Sequence, residues 1–226
     1  EATSSVAFSN WQFMTTNGDI YTEKVSRSFF EVPHRFTVVA SQNFRTGPIA
    51  HNVGVYFTAQ SGQPYSVLMG GDPNRDGASG NDLLYVPANY NDVVWRGTGA
   101  PTEATWNTFL STTGLDKYRG QVSARNGLDA PWLRSLDFHY DFEIPVSAIR
   151  AQVTFDVLNL INLIDSDHGL TRYVSNQTYN ALSYSGIDSA TGKPIYTVNS
   201  GALDVNRQYS TNDLRSRWQL RIGARL

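Results

Sequence analysis

The chain has 226 residues, 17% of them charged and 12% aromatic, with a net charge of −2. So even a charge balance leaves no electrostatic footprint for DNA or RNA, and the aromatic content argues against a disordered chain. Cysteine is absent, which excludes a disulfide framework and a thiolate metal site.

No apolar run approaches the ~20 residues of a membrane-spanning helix. A strand that shows alternate residues to lipid escapes hydropathy averaging, so a mean hydropathy of −0.35 excludes helical spans only. In chain order, the first candidate strand is the weakly alternating stretch Ser5–Met14. The next, His34–Phe44, sets Phe36, Val38, Ala40 and Phe44 against Arg35, Thr37, Ser41 and Asn43. Ala50–Ser61 sets Val53, Val55, Phe57 and Ala59 against Asn52, Tyr56, Thr58 and Gln60. Alternation is strongest in Trp132–Ile144, where Trp132, Arg134, Leu136, Phe138, Tyr140, Phe142 and Ile144 share one face. Leu133, Ser135, Asp137, His139, Asp141 and Glu143 share the other. This run is far longer than the ~5–6 residues of a typical globular strand. Arg150–Ile161 continues with Val153, Phe155, Val157 and Ile161 against Gln152, Thr154 and Asp156. The last, Arg217–Leu226, opposes Trp218, Leu220, Ile222, Ala224 and Leu226 to Arg217, Gln219, Arg221 and Arg225.

Connections alternate between short and long. Arg45–Ile49 and Pro145–Ile149 are short; Thr15–Pro33, Gly62–Pro131 and Asn162–Ser216 are long. Short periplasmic turns alternating with long extracellular loops are the habit of outer-membrane barrels. With the two short turns periplasmic, the last strand runs downward and the C-terminus falls on the same side. Inside the long connections, Pro101–Thr113, with Trp106, Phe109 and Leu110, predicts a short helix. Asn176–Asp188 and Pro194–Val198 predict hairpin arms extending above the membrane. Membrane barrels begin at about 8 strands, and an open edge in lipid strands backbone groups at several kcal/mol each. Six strands are too few, so the expectation is a fragment whose earlier strands lie upstream of Glu1.

Several segments carry a resemblance. They are Val32-Pro-His-Arg-Phe-Thr37, Ser61-Gly-Gln-Pro-Tyr65, Gly71-Asp-Pro-Asn-Arg-Asp-Gly77 and Gly80-Asn-Asp-Leu-Leu-Tyr-Val86. Tyr118-Arg-Gly-Gln121, Arg125-Asn126, Ala130-Pro-Trp132, Asp156-Val-Leu-Asn-Leu-Ile-Asn162 and Arg217-Trp-Gln-Leu-Arg-Ile-Gly-Ala-Arg225 complete the set. In order and spacing they resemble the C-terminal barrel region of TonB-dependent outer-membrane receptors, the Oar-like branch in particular, from about residue 30 to the end. The resemblance implies an all-β antiparallel meander forming the last strands of a barrel of about 22 strands around a plug. It implies residence in the bacterial outer membrane and uptake of a ligand driven by an inner-membrane energy complex. That complex, reached through an N-terminal region, and membrane lipid would be the partners. Family chains usually end in an aromatic residue, whereas this one ends at Leu226, so a residue or two beyond it is expected.

Candidate sites follow. Asp72, Asn74 and Asp76 with Gly77 match the first half of a calcium loop, whose ligands sit at positions 1, 3 and 5 with glycine at 6. Position 12 is Leu83, with Asp82 one residue early, and a turn-rich polar loop is the other reading. No other cofactor is indicated. Asp137, His139, Asp141, Glu143 and Asp156, with Arg217, Arg221 and Arg225, would line the lumen, as a permeation path, a plug contact or a solvated wall. Arg134, on the lipid face near the strand start, can snorkel to the interface. Trp132, Phe138, Tyr140, Phe142, Phe155, Trp218, Leu220 and Ile222 would face lipid. Tyr173, Tyr179, Tyr184 and Trp95 would stack on a ligand or on each other. His34, His51, His139 and His168 show no metalloenzyme spacing, and no phosphate loop, nucleophile elbow or triad order appears, so no enzyme is read here. Two alternatives stay open. One is a passive channel or adhesin barrel without a plug. The other is a soluble β-sandwich that binds carbohydrate with calcium in the Asp72–Asp82 loop.

Overall fold

The structure is a computed structural model that describes Thr15, residues 25–146 and residues 149–226. The candidate strand Ser5–Met14 lies outside the described residues. In chain order the strands are β1 (Arg35–Thr46), β2 (Ile49–Gln60), β3 (Pro64–Gly70), β4 (Tyr85–Val86) and β5 (Val94–Arg96). The helix α1 (Glu103–Thr113) precedes β6 (Gln121–Val122), β7 (Leu128–Asp129), β8 (Leu133–Val146) and β9 (Ile149–Leu158). Then come α2 (Leu160–Ile164), β10 (Arg172–Tyr173), β11 (Thr178–Ile187), β12 (Pro194–Thr197), β13 (Ser210–Thr211), α3 (Asp213–Ser216) and β14 (Gln219–Arg225). The fold is all-β and divides into two compact units. A sheet unit holds Val32–Gly62, Pro131–Tyr173 and Thr211–Leu226; an insertion unit holds 25–31, Gln63–Ala130 and Val174–Ser210.

The sheet unit is built on five strands in the order β1-β2-β8-β9-β14, every neighbour antiparallel. This is the expected meander, with the long alternating segments as its strands. β1 and β2 meet through a two-residue turn, because Thr46 pairs with Ile49. Gly47 takes φ +60 at its first central position, where a type II′ hairpin turn calls for glycine. Register is continuous across all five strands. One row runs Ala40–Val55–Phe138–Val157–Leu220, the next Gln42–Val53–Tyr140–Phe155–Ile222, the next Phe44–His51–Phe142–Val153–Ala224. Because side chains alternate along a strand, the intervening rows form the opposite face. These rows are Ser41–Gly54–His139–Asp156–Arg221, Asn43–Asn52–Asp141–Thr154–Gly223 and Arg45–Ala50–Glu143–Gln152–Arg225.

The sheet departs from expectation at its ends. β9 stops at Leu158, so Ile161 sits in α2 rather than on the apolar face. Asn159 causes the break. Its left-handed φ of +55 ends the strand, and its side-chain amide donates to the Gly169 and Ser216 carbonyls. Trp218 and Arg217 precede β14 rather than belonging to it. Arg217 caps α3 and pairs with Asp213 at 2.6 Å.

The long connections were expected as loops, yet two of them supply a folded unit of their own. Its sheet runs β5-β12-β11-β3-β7. β11 pairs antiparallel with β12 as the predicted hairpin. It also lies parallel to β3, while β12 lies parallel to β5, so these arms are interior strands and not projections. β3 is buried at every position, as a near-continuous apolar run with parallel pairing should be. The predicted helix is α1, with Thr102 accepting from the Thr105 amide at its N-cap and Gly114 left-handed at its C-cap. Trp106, Phe109 and Leu110 fall at i, i+3 and i+4 and are buried against Tyr65, Leu84, Leu115 and Val198 in one core.

Candidate functional site

Each unit presents one candidate. In the sheet unit, alternation gathers the predicted polar residues on one face and ties them into a ladder. The His139 ring is bracketed by Asp156 at 2.6 Å through Nδ1 and Asp141 at 2.8 Å through Nε2. Asp141 also accepts from Asn52 at 2.9 Å and from Gln152 at 3.0 Å, so β2, β8 and β9 are stitched through one carboxylate. Asp137 accepts from Ser135 at 3.0 Å and from the Asn159 amide at 2.8 Å. Glu143 meets Arg150 at 3.4 Å. Arg221 and Arg225 share this face, paired in register with Asp156 and Gln152. Arg217 does not join them. Asn52 and Gln152, the residues that join the carboxylates, already stood on the polar side of the alternation. Their role was missed because cross-strand register is not visible in one strand's sequence.

The opposite face is aromatic. Phe142 and Tyr140 each stack on Phe155, with ring centroids 6.4 and 6.3 Å apart. His51 joins them, stacked on Phe44 at 4.7 Å and on Tyr140 at 6.1 Å, with Nδ1 2.9 Å from the Tyr140 hydroxyl. Trp132 stacks on Phe36 at 6.1 Å. None of these rings belongs to the buried core; Leu220 is 51% and Ile222 66% exposed.

In the insertion unit, the Asp72–Asp82 segment leaves β3 and returns, closed at its neck by Gly80 N–H to the Gly71 carbonyl at 3.0 Å. Its carboxylates turn inward on the loop's own amides. The two oxygens of Asp72 accept from the Asp76 and Gly77 amides, both at 3.0 Å, and Asp76 accepts from Ala78 at 2.7 Å. Asn74 donates to Asp76 at 3.0 Å. Among the described residues no group of three or more His, Asp or Glu is placed to hold a metal, so Asp72, Asp76 and Asp82 do not converge as a calcium set. Asn74 and Asp82 instead line a cavity of about 370 Å³ beside Tyr85, Tyr184 and Tyr196. Tyr196 is held by its hydroxyl, which donates to the Tyr85 carbonyl at 3.0 Å, and burial raises its phenol pKa. Gly71, at φ +90, lets the loop pass Tyr184, since a Cβ there would stand 2.8 Å from the Tyr184 carbonyl oxygen.

The remaining loop aromatics divide. Trp95 packs on Tyr90, Trp106 and Tyr196, the loop-packing reading, whereas Tyr184 faces the cavity. Tyr179 packs against the core, and Tyr173 is exposed. The Asp167 amide, donating at 2.9 Å, and then His168, 2.7 Å away, hold the Asp165 carboxyl below its usual pKa range in an exposed turn.

No family model, curated protein or solved structure matches this chain.

Proposed function

We propose that the chain is part of an outer-membrane β-barrel of the TonB-dependent transporter type, in which the five-stranded sheet is a stretch of barrel wall. The observation that carries this reading is the register. Three rows that are apolar but for Gln42 and His51 alternate with three mostly polar rows across β1, β2, β8, β9 and β14, and among the described residues no aromatic ring of the apolar face belongs to the buried core. A sheet in water buries such a face. A barrel wall turns it to lipid and keeps charge on the lumen side, where it is cheap. Trp132, Phe138, Tyr140, Phe142, Phe155, Trp218, Leu220 and Ile222 then meet lipid. The Asp137, His139, Asp141, Glu143, Asp156, Arg221 and Arg225 face looks toward solute or plug. The soluble sandwich alternative requires a second sheet over the aromatic face; the exposure of Leu220 and Ile222 weighs against it.

The remaining barrel strands, the plug and the energy-coupled uptake rest on the resemblance alone, as do the bacterial outer membrane as location and a transport rather than enzymatic role. Calcium held by Asp72, Asn74, Asp76 and Asp82 would require Asp72 and Asp76 to leave the loop amides from which they accept; titrating calcium to millimolar concentration and recording heat tests it.

The wall assignment is tested by single-tryptophan variants of the protein with its complete barrel, reconstituted in vesicles with brominated acyl chains. Trp132 and Trp218 emission should be quenched, while Trp106, buried in the insertion unit, should not. Absence of quenching at both Trp132 and Trp218 removes the membrane reading.

A further inference from the structure

We infer that Arg134 binds the phosphate of an anionic lipid headgroup at the end of the wall from which the long connections leave. The inference deepens the wall reading and rests on it. It starts from an exception to the alternation. Across β1, β2, β8, β9 and β14 every other Asp, Glu or Arg stands on the polar face, from Arg45 on β1 to Arg225 on β14. Arg134 alone stands on the apolar face, in the row Phe36–Ala59–Arg134. It is exposed, and among the described residues no carboxylate lies within ion-pair distance of it.

Height on the wall decides what such a charge does. A lipid-facing arginine is most costly at the bilayer midplane and cheap near an interface, where its long side chain reaches the headgroups. Arg134 stands beside the girdle rings. Trp132, two residues away on the same face, is 41% exposed and stacks on Phe36 and His34, with ring centroids 6.1 and 6.3 Å away. Trp218, 45% exposed, precedes β14 at the same end. The flanks of the guanidinium are slender. On one side its register partner is Ala59, a single methyl. On the other, the pairing of β9 with β8 begins only at Val157 and Phe138, so no described strand pairs there with Arg134. The chain leaving β9 is tied to the opposite face, where the Asn159 amide donates to Asp137 at 2.8 Å. A dissolved anion gains little from one exposed arginine. A lipid phosphate is delivered by the bilayer at high local concentration, and two of its oxygens match the planar fork of the guanidinium. A zwitterionic headgroup brings its own cation to compete for that phosphate; a net anionic headgroup does not.

The test uses the protein with its complete barrel and Trp132 as its single tryptophan, in vesicles of phosphatidylglycerol and phosphatidylcholine mixed mole for mole. One preparation carries bromine on the acyl chains of the first lipid, the other on those of the second. The ratio of quenching gives the relative occupancy of the two headgroups beside Trp132. Phosphatidylglycerol should be favoured about fivefold. Arg134→Gln should bring the ratio toward equality, whereas Arg150→Gln, on the polar face beside Glu143, should leave it unchanged. Should Arg134→Gln fail to assemble, the ratio with Arg134 in place decides alone. Equal occupancy, a preference for phosphatidylcholine, or a preference that survives Arg134→Gln overturns the proposal and leaves the wall standing. No quenching in either preparation removes the wall and the proposal with it.

Discussion

Tyr65 shows how much a single buried phenol constrains the insertion unit. It is 1% exposed, donates to Gln208 at 3.1 Å and packs edge-on against Tyr209. Burial raises its pKa well above the usual phenol value, and does the same to Tyr196; burial also raises that of Tyr179. The folded state therefore keeps protons that the unfolded chain releases above about pH 10. Stability from these groups is full below that pH and falls as pH rises toward the folded-state values. Tyr65 and Tyr196 then each subtract up to about 1.4 kcal/mol per pH unit, and the half-buried Tyr179 less. Denaturant unfolding followed by Trp95 and Trp106 emission should show the unit losing stability from about pH 10 upward. Tyr65→Phe should make that loss shallower while costing about 1 kcal/mol at neutral pH, since it leaves Gln208 without the hydroxyl. A pH-independent stability up to pH 11 would show these phenols to be solvated.

Among the elements, the strands of the sheet unit were legible and the architecture of the insertions was not. Period-2 alternation in 132–144 found β8 with its faces correctly assigned, because the code for a half-exposed strand is written within the strand itself. β3 carries no alternation, being buried throughout, and its partners β11 and β7 lie far along the chain. A parallel pairing has no local turn to announce it. Likewise the Asp72 loop was visible as a motif, but its contribution to a cavity wall depends on Tyr184 and Tyr196, more than 100 residues away. The end of β9 depended on one asparagine whose left-handed backbone is a minority choice for any residue but glycine. The face assignment makes a direct prediction on β9. Val157→Lys, in the row of Phe138 and Leu220, should cost about 2–4 kcal/mol of stability in vesicles. Thr154→Lys, three residues earlier and beside Asp141 in register, should cost little. Equal losses for the two, measured by denaturant unfolding from lipid, would contradict opposite faces in different media.

At the scale of the molecule, the two units ask for different surroundings. The insertion unit owns the hydrophobic core, whereas the sheet unit leaves Phe36, Val38, Phe44, Trp132, Leu220 and Ile222 each more than 40% exposed. A contiguous apolar surface of this kind is an association hazard in water. Without detergent the chain should self-associate and bind an apolar dye strongly; adding micelles should disperse it and cut dye binding, while Trp106 emission stays blue-shifted throughout. Light scattering and dye fluorescence read both effects. A monodisperse, dye-silent chain in plain buffer would mean that the aromatic rows are satisfied some other way.

The order of strands β5-β12-β11-β3-β7 also sets a timetable. β3, β5 and β7 come from Gln63–Ala130, but the two strands that join β5 to β3 come from Val174–Ser210. Between these stretches the chain must first lay down β8 and β9. The earlier stretch thus emerges with half of a sheet and waits for its middle, and Val174, Ala181, Leu182, Tyr196 and Val198 arrive last to close the core. Contacts spanning so much sequence close slowly. The wall strands have only neighbours to find, since each pairs with the next long strand in line. A nascent chain would therefore carry an unfinished, sticky intermediate for as long as it takes to make the following hairpin, and a chaperone that shields Gln63–Ala130 would matter only during that interval.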